Sequence, residues 1–211
     1  MAKNDITFYY FDLRARGEIS RLILACGGKN YKDIRFNFEQ WPEYKPKMIL
    51  GQCPVLELEN GLQLPQSLAV ARYLARENNL AGKNNLESAQ IDAVIDTQLD
   101  TYNKFLPQFF EEDETKKKEE MEKLLSVNMP ILVENLQKLR QAYSGKNSKY
   151  FVGDSLTWAD LFVFDSIQQL LHGLPGAKEK YADQFKEYLD PVTSDARLKE
   201  YLKSRPDFKV I

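Results

Sequence analysis

Ile6-Thr7-Phe8-Tyr9-Tyr10-Phe11-Asp12-Leu13-Arg14-Ala15-Arg16-Gly17-Glu18-Ile19-Ser20-Arg21-Leu22-Ile23-Leu24-Ala25-Cys26-Gly27-Gly28 changes its hydrophobic period halfway along. Ile6, Phe8 and Tyr10 recur at every second residue, as a strand with one buried face requires. From Gly17 the spacing turns helical, with Ile19, Leu22, Ile23 and Cys26 on one face and Gly27-Gly28 as the stop. A strand that runs straight into a helix opens an α/β unit.

Working outward, a second strand is expected over Asp33 to Phe38, followed by an irregular segment. Pro54-Val55-Leu56-Glu57-Leu58-Glu59 then meets Asn60-Gly61, a two-residue hairpin signal, before Leu62-Gln63-Leu64. Ser67 to Asn78 is helical again, with Leu68, Ala71, Leu74 and Ala75 inward. The order is β-α-β, then β-β-α, over residues 1–80. Residues 81–86 read as a polar linker, and 87–211 as an all-helical domain with no strand signal. There, Ile91, Val94, Ile95, Leu99, Tyr102 and Leu106 keep a 3.6 period up to Pro107. Met121 to Leu139 predicts another long helix, kinked at Pro130. Thr157-Trp158-Ala159-Asp160 predicts a capping box, with Leu156 and Leu161 as its hydrophobic staple.

Composition excludes several classes of function. Hydrophobic residues at 43% and charged residues at 28% belong to an ordinary globular chain. A net charge of −2 argues against nucleic-acid binding, which needs clustered cations. The run Lys116-Lys117-Lys118 is interleaved with Glu119, Glu120 and Glu122, the pattern of a solvated helix face. No apolar stretch reaches the ~20 residues that span a bilayer, so no membrane role is expected. Met1 to Asp5 is polar, without the apolar run of a signal peptide. Cys26 and Cys53 are too few for a disulfide framework, and a reducing cytoplasm fits them. The lone His172 has no Cys or His near it in sequence, and a structural role is expected for it.

The segments then narrow the family. Tyr10 through Glu18 resembles the opening of sigma-class glutathione transferases, where a tyrosine ends the first strand and an Arg-small-Glu triplet opens the helix. Trp41-Pro42 with Lys45, Gly51-Gln52-Cys53-Pro54-Val55, and Gln66-Ser67 before Ala71-Arg72-Tyr73 are similar to the same class. So are Gln90-Ile91-Asp92 through Thr97, Phe151 through Asp160, and the ending Arg205-Pro206. Their order and spacing cover nearly the whole chain. The resemblance implies the glutathione transferase fold: an α/β thioredoxin-like N-terminal domain, an all-α C-terminal domain, and a homodimer.

It also implies roles for residues. Glutathione is the co-substrate, and Tyr10 holds its thiol as a thiolate, with Arg16 fixing Tyr10 or touching the peptide. A free thiol with a pKa near ~8.5 is only a few per cent ionised at neutral pH, so a donor and a helix N-terminus beside it matter. Pro54 follows a cis peptide, and the main chain of Cys53 pairs with the tripeptide, helped by Gln52. Gln66 and Ser67 take the γ-glutamyl carboxylate, although Ser67 alone would read as an ordinary helix cap. Trp41 and Lys45 clamp the glycine end, and Asp100 reaches the α-amino group from the second subunit. Arg14 is the weaker arginine. The electrophile pocket is expected around Phe11, Leu13, Tyr102 and Leu106. Some members of the class bind a divalent cation through three acidic residues; Asp96 and Asp100 match two, but Leu99 stands at the third, so no metal is expected.

The expected reaction is conjugation of the thiolate to small apolar electrophiles, with hydroperoxide reduction as a companion activity. Two rivals sit within the family: a prostaglandin H to D isomerase, and a crystallin-like binding protein without turnover. A third, a cysteine-dependent thiol transferase, needs a cysteine where Tyr10 stands.

Overall fold

The computed structural model describes residues 6–206, so the reading of Met1 to Asp5 lies outside the described residues. Strand β1 (Ile6–Phe11) leads through a 3₁₀ turn (Ala15–Gly17) into helix α1 (Glu18–Gly27), which ends on Gly28 in the left-handed conformation. Strand β2 (Lys32–Phe36) follows, then the short helix α2 (Trp41–Tyr44) and a 3₁₀ turn, Lys45–Lys47. Strands β3 (Val55–Leu58) and β4 (Gln63–Pro65) form a hairpin, and helix α3 (Ser67–Glu77) closes the unit. The sheet order is β2-β1-β3-β4, with β1 and β2 parallel and the other pairs antiparallel. Phe8 and Tyr10 face the buried side, as the alternation requires.

The hairpin differs from its expected form. Leu58 N–H bonds Leu62 O, and Gly61 N–H bonds Leu58 O at 2.9 Å, so three residues rather than two connect the strands. Gly61 alone takes a positive φ, of 80°, in the bulge position; Asn60 instead accepts from Leu62 N–H through its side chain. In α3, Val70 is buried and Leu68 only half-buried, because the helix also leans on β3 and β4.

The helical half comprises α4 (Asn85–Phe105), α5 (Glu114–Lys123), α6 (Met129–Tyr143), α7 (Trp158–Gly173), α8 (Ala177–Thr193) and α9 (Lys199–Ser204). The break expected at Pro130 lies one turn earlier, in a π-helical segment, Leu124–Asn128. Proline has no N–H to donate and its ring crowds the carbonyl four residues back, so the wider turn takes up the mismatch before the proline. Helix α7 is the buried spine of this half, packed on α1, α4 and α8. At its start, Asp160 accepts from Thr157 N–H (2.8 Å), Thr157 hydroxyl (3.0 Å) and Phe151 N–H (2.8 Å), and Leu156 and Leu161 are both buried beside it. Burial pushes the Asp160 carboxyl up to about 6, so it is still ionised at pH 7 and its bonds are charge-assisted. Asp160→Ala is expected to strand two buried N–H groups at a cost of about 2 kcal/mol. Thermal melting should show a drop of about 4–8 °C, and an unchanged melt would refute the role.

The two halves are tied by charge as well as by apolar packing. Glu18 at the head of α1 is buried and accepts from Arg205 (3.0 Å) and from the Tyr201 hydroxyl (2.9 Å). Arg21, wholly buried although it lies across the helix from Ile19, Leu22, Ile23 and Cys26, bonds Asp33 (3.1 Å) and the carbonyls of Leu13 (2.9 Å) and Phe11 (3.2 Å). A buried guanidinium survives only when its donors are met, and here it also fixes the chain leaving β1.

Candidate active site

Strand register alone gathers the site. Tyr9 pairs with Val55, and Val55 pairs with Pro65. The next positions, Tyr10, Pro54 and Gln66, therefore lie side by side at one end of the sheet. Phe11 pairs with Phe36, so the chain leading to Trp41 leaves from the same end.

Tyr10 ends its strand with only 6% of its surface exposed. Its ring lies directly against Gly17, and its hydroxyl oxygen accepts the Arg16 N–H at 3.2 Å. Burial holds its pKa well above the ordinary tyrosine value, and Cys53 adds to this, while the Arg16 N–H and the Arg16 and Arg21 charges pull the other way. The hydroxyl is thus protonated throughout the physiological range: it is a donor, not a base. The Arg16 side chain is exposed and reaches Asn103 on α4 at 3.0 Å. Arg14 instead bonds the Pro206 carbonyl at 3.0 Å, towards the end of the described chain.

The Cys53–Pro54 peptide is cis. Burial pushes the Cys53 thiol up to about 12, against the pull of the Phe11 N–H, and pushes Cys26 up to about 11. Neither thiol is nucleophilic at neutral pH. Gln52, which precedes Cys53, is exposed.

Gln66 carries the strain of the site, with φ of 75° at a non-glycine residue. This places Ser67 one residue inside helix α3 rather than at its cap, and the Gln66 side chain does not cap the helix. The first N–H groups of an eleven-residue helix are therefore left without a side-chain cap from Gln66, beside the Ser67 hydroxyl, an arrangement suited to a carboxylate. Ser67, Arg16, Leu99, Tyr102 and Asp165 line a cavity of about 10 Å³ between the two halves, room for a single water.

Trp41 is half-buried and stacks on Phe36 (5.4 Å, 18°), with Phe11 tilted against it. Lys45 is exposed, its stem passing over Gly51. Phe11 joins the aromatic cluster of Phe36, Phe38 and Trp41, on the opposite face of β1 from Tyr10. Leu13 is half-buried. Tyr102 and Leu106 are buried at 3% and 8%, and the Tyr102 hydroxyl is taken up by Gln169 at 2.8 Å. Asp100 and Asp96 are exposed on α4, where Arg72 holds Asp92 at 2.9 Å. Among the described residues no three His, Cys, Asp or Glu side chains gather at one point. His172 is exposed near the end of α7, with Nδ1 2.8 Å from the Gln168 carbonyl.

Three participants escaped the sequence reading. Gly17 makes room for the Tyr10 ring, and Gln169 and Asp165 reach the site from α7. For the two on α7 the signal was there: Asp165, Ser166 and Gln169 are polar side chains in the middle of a largely apolar helix.

A thioredoxin-like sheet whose loop end carries a donor tyrosine and an uncapped helix start, flanked by a helical domain, is the arrangement that the resemblance to glutathione transferases implied. The comparisons agree. Residues 6–76 match the family model for the glutathione S-transferase N-terminal domain, and residues 99–205 the one for its C-terminal domain. The chain is similar to a probable glutathione S-transferase 6 of Caenorhabditis elegans, 36% identical over 94% of this chain and 96% of that protein. Among solved structures it resembles rat hPGDS complexed with a quinoline (34% identity, TM-score 0.83, 97% and 98% covered). It also resembles the Fasciola hepatica sigma class enzyme (28%, TM-score 0.85, 97% and 98% covered). The chain belongs to the glutathione S-transferase family.

Proposed function

We propose that the protein is a sigma-class transferase that conjugates glutathione to small apolar electrophiles in the cytoplasm, acting as a homodimer. The observation that carries this reading is the Tyr10 hydroxyl, protonated by burial and braced by the Arg16 N–H, beside the uncapped start of α3. Glutathione lies along the loop end of the sheet. Its γ-glutamyl carboxylate takes the Ser67 hydroxyl and the first amides of α3, with Gln66 alongside, and its cysteinyl amide pairs with the main chain of Cys53 next to Gln52. Its glycine carboxylate takes Lys45 and the Trp41 indole. Asp100 of a second copy meets its α-amino group.

In the reaction the thiol loses its proton to solvent, and Tyr10 donates to the sulfur anion that remains. The sulfur attacks the electrophilic carbon and a C–S bond forms; an aromatic halide then expels halide with its electron pair, whereas an alkenal opens its C=C bond and takes up a proton from solvent at the α-carbon. No cysteine of the chain takes part, since both thiols stay protonated.

Glutathione-dependent turnover of an aromatic halide, an alkenal, cumene hydroperoxide and prostaglandin H tests the reading. Conjugation of the first two is expected; glutathione binding without turnover of any of the four would favour a crystallin-like binding protein. A narrower expectation concerns Ser67→Ala. Losing one hydroxyl donor while the helix amides remain costs about 1 kcal/mol, so the KM for glutathione should rise about fivefold with kcat nearly unchanged. An unaltered KM would remove Ser67 from the site.

A further inference from the structure

A single peptide group joins the helical domain to Tyr10. Its N–H side is Arg16 N–H, which donates to the Tyr10 hydroxyl oxygen at 3.2 Å. Its carbonyl side is Ala15 O, which accepts from Gln169 Nε2 at 3.3 Å. Gln169 comes from the middle of α7 and is 1% exposed. Both ends of its amide are engaged: Oε1 accepts the Tyr102 hydroxyl at 2.8 Å, and Nε2 also donates to Asp165 Oδ2 at 2.9 Å. The orientation of the amide is forced, because a backbone carbonyl can only accept and so demands the NH₂ end. Ala15 itself has φ of 32°, a conformation that a residue with a Cβ keeps only where its surroundings impose it.

We propose that Gln169 is a positioning residue for the thiol chemistry, holding and polarising the Ala15–Arg16 peptide so that Tyr10 donates more strongly to the thiolate. Hydrogen bonds in series reinforce one another, by about 10–30% per bond. A donor into Ala15 O therefore strengthens the Arg16 N–H, and a stronger bond into the Tyr10 oxygen makes its own proton easier to give. This offsets the effect of burial, which runs the other way. The charged and titratable groups facing Tyr10 are Cys53, Arg16, Arg21 and Tyr102, and those facing Asp165 are Glu18, Arg205, Arg14 and Tyr102. Of these, Asp165 and Tyr102 touch Gln169 directly, and their role is to hold the amide in place.

The inference rests on Tyr10 being the thiolate donor, so Tyr10→Phe is carried as a parallel control. The probe is glutathione alone, without electrophile, and the readout is the ultraviolet absorbance of its bound thiolate across pH. Gln169→Met keeps length and apolar bulk but removes both donors. Its titration midpoint should rise by about half a unit, leaving about threefold less thiolate below the midpoint. Glutathione affinity by calorimetry at or below the midpoint should change less than about twofold, because no contact to the peptide is lost. A residue that merely supported packing would lower the melting temperature and leave the midpoint where it was; that result overturns the proposal. If Gln169→Met does not fold, Tyr102→Phe frees the acceptor end of the amide and should move the midpoint the same way by less, and no movement there also overturns it. A Tyr10→Phe midpoint equal to wild type would instead refute the reading of Tyr10, an outcome separate from either Gln169 result.

Discussion

Tyr10→Phe should cut conjugation by about eightfold near pH 6.5 and raise it by about fivefold near pH 9. The size follows from two opposing effects. If the donor depresses the thiol by about two units, its loss returns the bound thiol to ~8.5 and leaves only about 1% ionised at pH 6.5, instead of half. A more basic thiolate is the better nucleophile, with a Brønsted slope of ~0.4, which restores about sixfold. Ionisation wins, but only on the acid side. The KM for glutathione should stay within about twofold near pH 6.5, where half or less of the bound thiol is ionised and the remaining contacts hold the carboxylates. The ring stays packed against Gly17, so the cost to the fold is that of the Arg16 N–H losing its acceptor, about 1–2 kcal/mol. The measurement is kcat/KM for the electrophile at saturating glutathione, against pH, for both proteins, since only then does the bound thiol's ionisation set the profile. Parallel profiles, displaced equally at every pH, would mean that Tyr10 acts on something other than thiol ionisation.

What the sequence revealed followed from local period, and what it hid followed from contacts distant along the chain. The alternation of Ile6, Phe8 and Tyr10 was enough to place Tyr10 inward at the strand end, because a one-residue slip would have exposed all three. The Trp41–Lys47 stretch read as irregular because a helix of four residues has no period to detect, and because Pro42 and Pro46 look like breakers. They occupy first-turn positions, where proline is tolerated. Asn60-Gly61 marked the turn but not its length, since Gly61 suits both a two-residue loop and a bulge, and the Leu58 carbonyl chooses. The φ of Gln66 had no sequence signal at all: glycine or asparagine announces such a position, and glutamine does not. Gln169 lies 154 residues from Ala15, so their bond belongs to the docking of the two halves and to no motif. The cluster of Tyr10, Pro54 and Gln66 at one end of the sheet was legible as spacing; the peptide linking Tyr10 to α7 emerged only from packing.

Gly17→Ala is the harshest small change the site can suffer, and the reason is steric rather than conformational. Gly17 has φ of −89° and ψ of −24°, a backbone open to any residue, so alanine costs nothing there by itself. A Cβ would, however, stand 2.1 Å from Tyr10 Cδ1 and 2.6 Å from Cγ. The ring cannot yield easily: Phe8 and Phe11 pack against it, and the Arg21 guanidinium lies 5.8 Å from its centre, pinned to Asp33 and two carbonyls. The alternative is for the Ala15–Gly17 turn to retreat, which pulls the Arg16 N–H from the Tyr10 oxygen. Overpacking of this kind costs about 3 kcal/mol, a fall of about 6–12 °C in melting temperature for a chain of this length. Either route also displaces the donor, so the bound thiol should titrate as in Tyr10→Phe although the hydroxyl is still present. The double variant Gly17→Ala with Tyr10→Ala separates the clash from any general intolerance of the turn. Removing the ring removes the collision, so the double variant should be less destabilised than the two single changes summed, by about 1–3 kcal/mol. Strict additivity, or a Gly17→Ala protein that melts and titrates like wild type, would show that Tyr10 is not held by this contact.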